Sequence, residues 1–501
     1  MEGRRKALTI RTMHFLGIAL GAGVLALAGC ARPLPVIYGA RATAPSAAKP
    51  WNPPPEVVSV PAPPPAAPNI PKGILRPGRP LTLLDIVDVA LRNNPETAAT
   101  WAEARSAAAA YGSREGEYYP QVGASAGLTR LHSQVQGGTN SYNERDYSMG
   151  VQLNWLLFDF GARDAAVAEA REVLIAADWA HNAMIQSVIL QVERAYYTYV
   201  TAKALLEAEQ ATYKEAMTNL DAAKDRHHAG VATVADVLQA KTALAQSKLA
   251  LDDLRGQVQT TRGALATAMG LPASTPYDIG IPRGEIPLNE TLKQVDIYLA
   301  KAEKQRPDLR AAQAQVRAAA ANVRKVEAGA YPSISGIAGL GRTYYDSSGS
   351  WGNNYSGTLQ FSVPLFTGYS QHYDELRARA DEKAARARLA STQQQVVLEV
   401  WTSYYNLKTA EQRVKTSEDL LQSATESYHV ALGRYKAGVG SILDLLSAQS
   451  ALEQARAQRA QANADWFISL AQLAHDTGTL TAGETIALDQ SPVTIEKDGT
   501  P

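Results

Sequence analysis

The chain of 501 residues holds a single cysteine, Cys30, which excludes an internal disulfide framework and any zinc site built on cysteines. Its 8 histidines are scattered, with no H-x-x-x-H pair on one helical face. No G-x-x-x-x-G-K-[ST] segment is present, so the chain offers no loop for cradling a nucleotide's phosphates. Excess charge is missing too. The 49 Lys and Arg offset 49 Asp and Glu, a balance that argues against nucleic-acid binding, which uses a basic field. The apolar run from Phe15 to Ala28 has 14 residues, short of the 18 or more that a membrane-spanning helix needs. No nucleophile, base and metal set converges, so no cofactor is implied and the composition points away from an enzyme.

That short run reads as the core of a signal peptide. Arg4, Arg5, Lys6 and Arg11 give the basic region before it, and Leu27-Ala28-Gly29-Cys30 follows. The ending resembles a bacterial lipobox: residues 1–29 are then a lipoprotein signal peptide and Cys30 the lipidated residue. Ala31 after it resembles lipoproteins sorted to the outer membrane. Acyl chains on Cys30 would act as an anchor, at about 0.8 kcal/mol per buried CH₂. Of the 26 prolines, 15 lie in residues 31–80. Proline lacks a donor and fixes φ, so residues 30–80 read as an extended tether behind the lipidated cysteine.

The body is one unit written twice. Pro95 and Pro307, Tyr119-Pro120 and Tyr331-Pro332, and Arg130 and Arg342 are each offset by 212. Further on the offset is 208, relating Gln152 to Gln360, Tyr196-Tyr197 to Tyr404-Tyr405, Asp236 to Asp444 and Gly270 to Gly478. The difference of 4 falls between Arg130 and Gln152, so one hairpin loop is shorter in the second copy. Constant spacing over so many matches marks a duplication. The first repeat covers 81–271 and the second 291–480, with a linker at 272–290 and a tail at 481–501.

Each repeat opens with a helix, the first capped at Thr82-Leu83-Leu84-Asp85. After Tyr119-Pro120 the pattern changes to period two: Val122, Ala124, Ala126 and Leu128 alternate with Gln121, Gly123, Ser125 and Gly127. Hairpins are expected over 121–158 and 333–366, with loops near Gln136 to Asn143 and before Tyr355. Strands of about 10 residues would cross a bilayer when tilted. Phe158, Phe160, Phe361 and Phe366 are four of the 6 phenylalanines, and they sit with Tyr147, Tyr331 and Tyr344 around these segments like aromatic girdles. Gln152, Asn154, Ser125 and Gln360 would face a lumen or solvent. Four strands cannot close a barrel, and an open edge in lipid leaves backbone groups unpaired, so a membrane sheet must borrow strands from other copies.

Very long helices follow each hairpin. No Gly or Pro interrupts Ala162 to Ala229 or Tyr369 to Leu432, which predicts long helices over 162–229 and 369–437. Ile185, Val188, Val192 and Tyr196 form a stripe at spacings of three and four, matched by Val396, Val400, Trp401 and Tyr404. Each long helix ends at a glycine and turns into a return helix, over 231–270 and 440–477. His227-His228 points two rings apart by about 100° and makes a poor metal pair; no metal site is expected.

This order of elements resembles the TolC-type outer-membrane factors, above all their lipidated multidrug-efflux members, over roughly residues 81–480. Arg306-Pro307-Asp308-Leu309 is similar to a recurring segment of that family. So are the turns Arg226-His227-His228-Ala229-Gly230-Val231 and Arg434-Tyr435-Lys436-Ala437-Gly438-Val439, each followed by D-[VL]-L. The resemblance implies a mixed α/β membrane protein: four transmembrane strands per chain in a 12-stranded oligomeric barrel, with the long helices forming a coiled-coil-like periplasmic α-barrel. It implies a homotrimer in outer-membrane lipid, acting as a passive exit duct for small molecules. A periplasmic adaptor would dock at the tips around Gly230, Val231, Gly438 and Val439 and link the duct to an inner-membrane pump. Asp444, with Asp236 as its counterpart, would constrict the pore; Ser447 stands at the family's later acidic position, which speaks against a double acidic ring. A type I secretion duct for proteins or peptides is one alternative. A periplasmic coiled-coil structural or adaptor lipoprotein without a pore is another, but it leaves two duplicated hairpins unexplained.

Overall fold

The computed structural model describes residues 80–135, 140–280 and 294–481. Cys30, the tether, part of the linker and most of the tail lie outside the described residues. The first repeat comprises α1 (Leu83–Asn93), α2 (Pro95–Glu115), β1 (Gln121–Val135), β2 (Asn140–Phe158), α3 (Ala162–His228) and α4 (Val234–Ala268). The second follows the same order with α5 (Val295–Gln305), α6 (Pro307–Ala328), β3 (Ser333–Tyr345), β4 (Ser350–Ser362), α7 (Ser370–Lys436) and α8 (Ile442–Asp476).

The four strands form one antiparallel sheet in the order β1-β2-β3-β4, so the two hairpins are joined through β2 and β3. The strands have 15, 19, 13 and 13 residues, longer than the sequence pattern suggests. β2 already starts at Asn140, inside the segment expected to be loop. β4 corrects the expected boundaries at both ends. It begins at Ser350, and it stops at Ser362 because Ser333, the first residue of β3, pairs there and leaves nothing beyond to pair with. Pro364 has no N–H to prolong the ladder, so Phe366 lies past the strand.

The helices α3 and α7 have 67 residues each, roughly 100 Å of helix. Four helices end in the same hydrogen-bonded turn. After α3, Gly230 N–H donates to the His227 carbonyl at 2.9 Å and Val231 N–H to that of Arg226 at 2.9 Å. The same double bond follows α7, α4 and α8 at Gly438, Gly270 and Gly478. This closure needs a left-handed residue, and the four glycines supply φ between 72° and 82°. Two of them carry a second constraint. A Cβ on Gly270 would lie 2.6 Å from the Asn93 carbonyl oxygen, and one on Gly478 would lie 2.7 Å from the Arg306 nitrogen. Each repeat thus folds its last turn against the junction of its own first two helices.

That junction anchors the main core. Ile86, Val89 and Ala90 of α1 pack on Val188, Val192 and Tyr196 of α3, on Leu265 of α4 and on Met269 just after it, all buried. The stripe on α3 therefore faces a core. On α7 only part of it does: Val396 and Val400 are buried, while Trp401 stays exposed. At the symmetry-related junction Arg306 is buried and bridged to Asp308 at 2.6 Å and Glu399 at 2.5 Å.

Candidate functional site: the two-faced sheet and the helical tips

Residues directly opposite one another in a sheet share a face. Register therefore assigns the rows Val122–Leu153–Ala338–Gly357 and Ala124–Val151–Leu340–Tyr355 to one side. The rows Gly123–Gln152–Gly339–Ser356 and Ser125–Gly150–Gly341–Asn354 fall on the other. The first face is apolar and uncovered, with Leu340 69% and Tyr355 85% exposed. The second is small and polar. Of the residues expected to face a lumen or solvent, Ser125, Gln152, Asn154 and Gln360 share it.

Aromatic rings bracket the apolar face. At the hairpin end Tyr147, Tyr344 and Trp351 run side by side, with centroids 6.1 and 5.3 Å apart. At the helix end Phe158, Phe160 and Tyr331 do the same at 4.8 and 5.7 Å. The 11 steps from Tyr147 to Phe158 span about 36 Å along a strand, or roughly 28 Å of height at a tilt near 40°. That is close to the apolar band of about 25 Å in outer-membrane barrels. With β1 and β4 as open edges, such a sheet would need further strands to close in lipid.

The other end of the molecule is built by the turns after α3 and α7. Val231 and Val439 project there, 63% and 70% exposed. Asp236 and Asp444 are the third residues of α4 and α8 and complete capping boxes. The Asp236 carboxylate accepts the Thr233 N–H at 2.8 Å, and that of Asp444 accepts the Ser441 N–H at 3.4 Å. Both acids are thus engaged in starting their helices; Asp444 is exposed and Asp236 half-buried. The tips of the two repeats touch. The Arg226 guanidinium lies 4.7 Å from the centre of the Tyr435 ring and donates to the Tyr435 carbonyl. Arg226, Tyr435, Asp236 and Ser441 line one hollow of about 230 Å³.

Further along the helices the contact between repeats becomes polar and buried. Asn219 of α3 meets Gln449 of α8, and Arg456 donates to both carboxylate oxygens of Glu215 at 3.1 and 2.8 Å. A cavity of about 560 Å³ between α4 and α8 is lined by Gln246, Ser247, Gln449, Ser450 and Glu453. Burial pushes the Glu453 carboxyl up from the ordinary range. It pushes Glu209 up as well, reinforced by the Glu453 charge and opposed by the Ser247 hydrogen bond and Arg456. None of this is legible in the sequence. Arg226 and Tyr435 stand inside the turn motifs, but nothing in their spacing says that the two turns meet; Asn219 and Gln449 carry no periodic signal.

The comparisons with known proteins agree with this geometry. The family model described as outer membrane efflux protein matches residues 86–271 and 298–479. The chain is similar to Protein CyaE of Bordetella pertussis, 30% identical over 89% of this chain and 90% of that protein. It is also similar to the outer membrane protein TolC of Escherichia coli, 24% identical over 82% and 84% of the two chains. In fold it resembles the crystal structure of a membrane protein from Pseudomonas aeruginosa, with a TM-score of 0.72 at 24% identity over 79% of this chain and 93% of that one. With the family model matching both repeats and a relative 30% identical over most of both chains, the chain belongs to the outer membrane efflux proteins, the TolC-type outer-membrane factors.

Proposed function

We propose that three copies of this chain form a passive exit duct for small molecules in a tripartite efflux system. Each copy gives four strands to a twelve-stranded barrel, apolar face to lipid and polar face to water, and its long helices to a tunnel across the periplasm. The observation that carries this reading is the two-faced, open-edged sheet fused to helices of 67 residues. Edges in lipid must be paired, and a polar inner face passes solutes by size and charge.

The chain supplies no chemistry to drive transport, so the free energy comes from an inner-membrane pump. A periplasmic adaptor couples the two at the tips, where Gly230, Val231, Gly438 and Val439 form the outermost turns. Closed and open states differ in how the tip helices cross, a two-state element that adaptor binding biases. Asp444, and more weakly Asp236, sets the charge of the constriction there. Cys30 carries the lipid anchor.

Purified protein in planar bilayers tests the duct directly. Discrete single-channel currents from a trimeric species are expected; correctly inserted protein that passes no ions overturns the reading. Intact mass of the mature chain tests the anchor. Acyl mass on Cys30, absent in Cys30→Ser, is the expected result.

A further inference from the structure

We propose that Arg130 and Arg145, with Arg342 across the same aromatic row, form a binding surface for the phosphates of an anionic lipid in the leaflet at the hairpin end of the sheet. Arg130 and Arg145 are direct partners across β1 and β2. Two like charges in that relationship repel one another. Register places them on the apolar face, one row beyond Leu128 and Tyr147, and both are exposed. Glu144 and Asp146 pair with Leu131 and Thr129, on the opposite face. Asp346 stands beside Arg145, to whose carbonyl its N–H donates at 3.0 Å, and is the one acid next to the pair on their own face. Among the described residues neither arginine has a carboxylate oxygen within 4.0 Å, and Asp346 touches Arg145 through the backbone alone.

Arg342 completes the patch from the other side of the aromatic row. It pairs with Met149 and Asn353 on the apolar face, one row nearer the middle of the sheet, and its guanidinium lies 5.0 Å from the centre of the Trp351 ring. Three arginines therefore border the row Tyr147–Tyr344–Trp351, their backbones within about 7 Å of it along the strands. An aromatic row of this kind lies at headgroup depth, where long cationic side chains also settle. Phosphate is the anion found there, and guanidinium recognises it through paired donors. A lipid phosphate seated between Arg130 and Arg145 converts a repulsive cross-strand pair into a bridged one. This inference rests on the sheet's place in the outer membrane, not on conduction by the duct.

The test uses the full chain reconstituted into phosphatidylcholine vesicles doped with bis-phosphorylated lipid A or with the same lipid dephosphorylated. After detergent extraction, the lipid remaining on the protein is counted by mass spectrometry. The phosphorylated lipid is expected to be enriched about fivefold over its bulk fraction, and the dephosphorylated one not at all. R130Q/R145Q, checked for native β content by circular dichroism, should lose most of that enrichment. If the double variant does not insert, R145Q alone decides, with about a twofold loss expected. Equal enrichment in the variants, or of the dephosphorylated lipid, overturns the proposal. Retention of inorganic phosphate by the protein with no enrichment of the phosphorylated lipid also overturns it, by assigning the arginines to a free ion. Conductance read on the same samples separates the two readings, because lipid enrichment without current sinks the duct and leaves this site standing.

Discussion

Asn219 on α3 donates its side-chain amide to the Gln449 carbonyl oxygen on α8 at 2.7 Å, and both residues are buried. Tyr428 of α7 reaches the same Asn219 at 3.5 Å. One polar cluster thus ties the long helix of the first repeat to both long helices of the second. Around it the packing is apolar, with Leu220, Ala223, Leu445 and Leu452 in one cluster. Asn219→Leu leaves the Gln449 amide buried without its partner, at a cost of about 1–3 kcal/mol. N219L/Q449L removes both polar groups and should recover most of that loss. Thermal unfolding followed by circular dichroism measures both, and additive losses would falsify the pairing.

Two glycines should respond to the same substitution with opposite sign. Gly478→Ala places a methyl 2.7 Å from the backbone of buried Arg306, at φ +75°. A loss of about 2 kcal/mol or more is expected. Gly256→Ala lies on the exposed side of α4 with nothing within 4 Å of the new methyl. It should gain about 0.5–1 kcal/mol from helix propensity. Denaturant midpoints of the two variants settle the signs.

The cavity between α4 and α8 makes stability depend on pH through Glu453. Its carboxyl is pushed up in the folded chain, so its contribution is fully present below the unfolded value and is lost as pH rises through the folded one. At neutral pH the ionised group is a burden. Glu453→Gln should raise the melting temperature at pH 7 by roughly 1–3 °C, and the gap should close as pH falls toward the ordinary carboxylate range. A gap that persists in acid rules out ionisation as its cause.

At the tips, Arg226→Leu removes the contacts to the Tyr435 ring and carbonyl that hold the two turns together. If the tips gate the duct, single-channel conductance should rise about twofold or more, since the closed arrangement loses a charge-assisted contact. Unchanged conductance would separate this contact from gating.

Asp444→Asn keeps an acceptor for the Ser441 N–H but removes the charge from the start of α8. A stability loss of about 0.3–1 kcal/mol is expected from the helix dipole. Reversal potentials under a salt gradient should show weaker preference for cations. If selectivity stays the same, Asp444 serves its helix alone.

Much of the architecture was readable because it depends on local rules repeated twice. The glycines at 230, 270, 438 and 478 mark helix ends through their φ, and the alternation from Val122 to Leu128 marks a sheet face. Strand limits were less readable, since they depend on partners: β4 stops where Ser333 runs out, and no property of Ser362 itself announces it. Asp236 and Asp444 show the same limit at the tips. Their spacing from Thr233 and Ser441 encodes a capping box, and the charge any pore would feel depends on neighbouring copies. The contact of Arg226 with Tyr435 joins residues 209 apart and follows only from the packed helices.

The seam between β2 and β3 has a consequence for assembly. It sews the end of one duplicated hairpin to the start of the next, within a single chain. The free edges β4 and β1 are the same two kinds of edge, so in the proposed barrel a joint between molecules would be cut to the pattern already sewn inside each one. A ring of such chains would carry twice the rotational repeat of its subunit number, and a partner gripping one seam would find a near-equivalent foothold at every other.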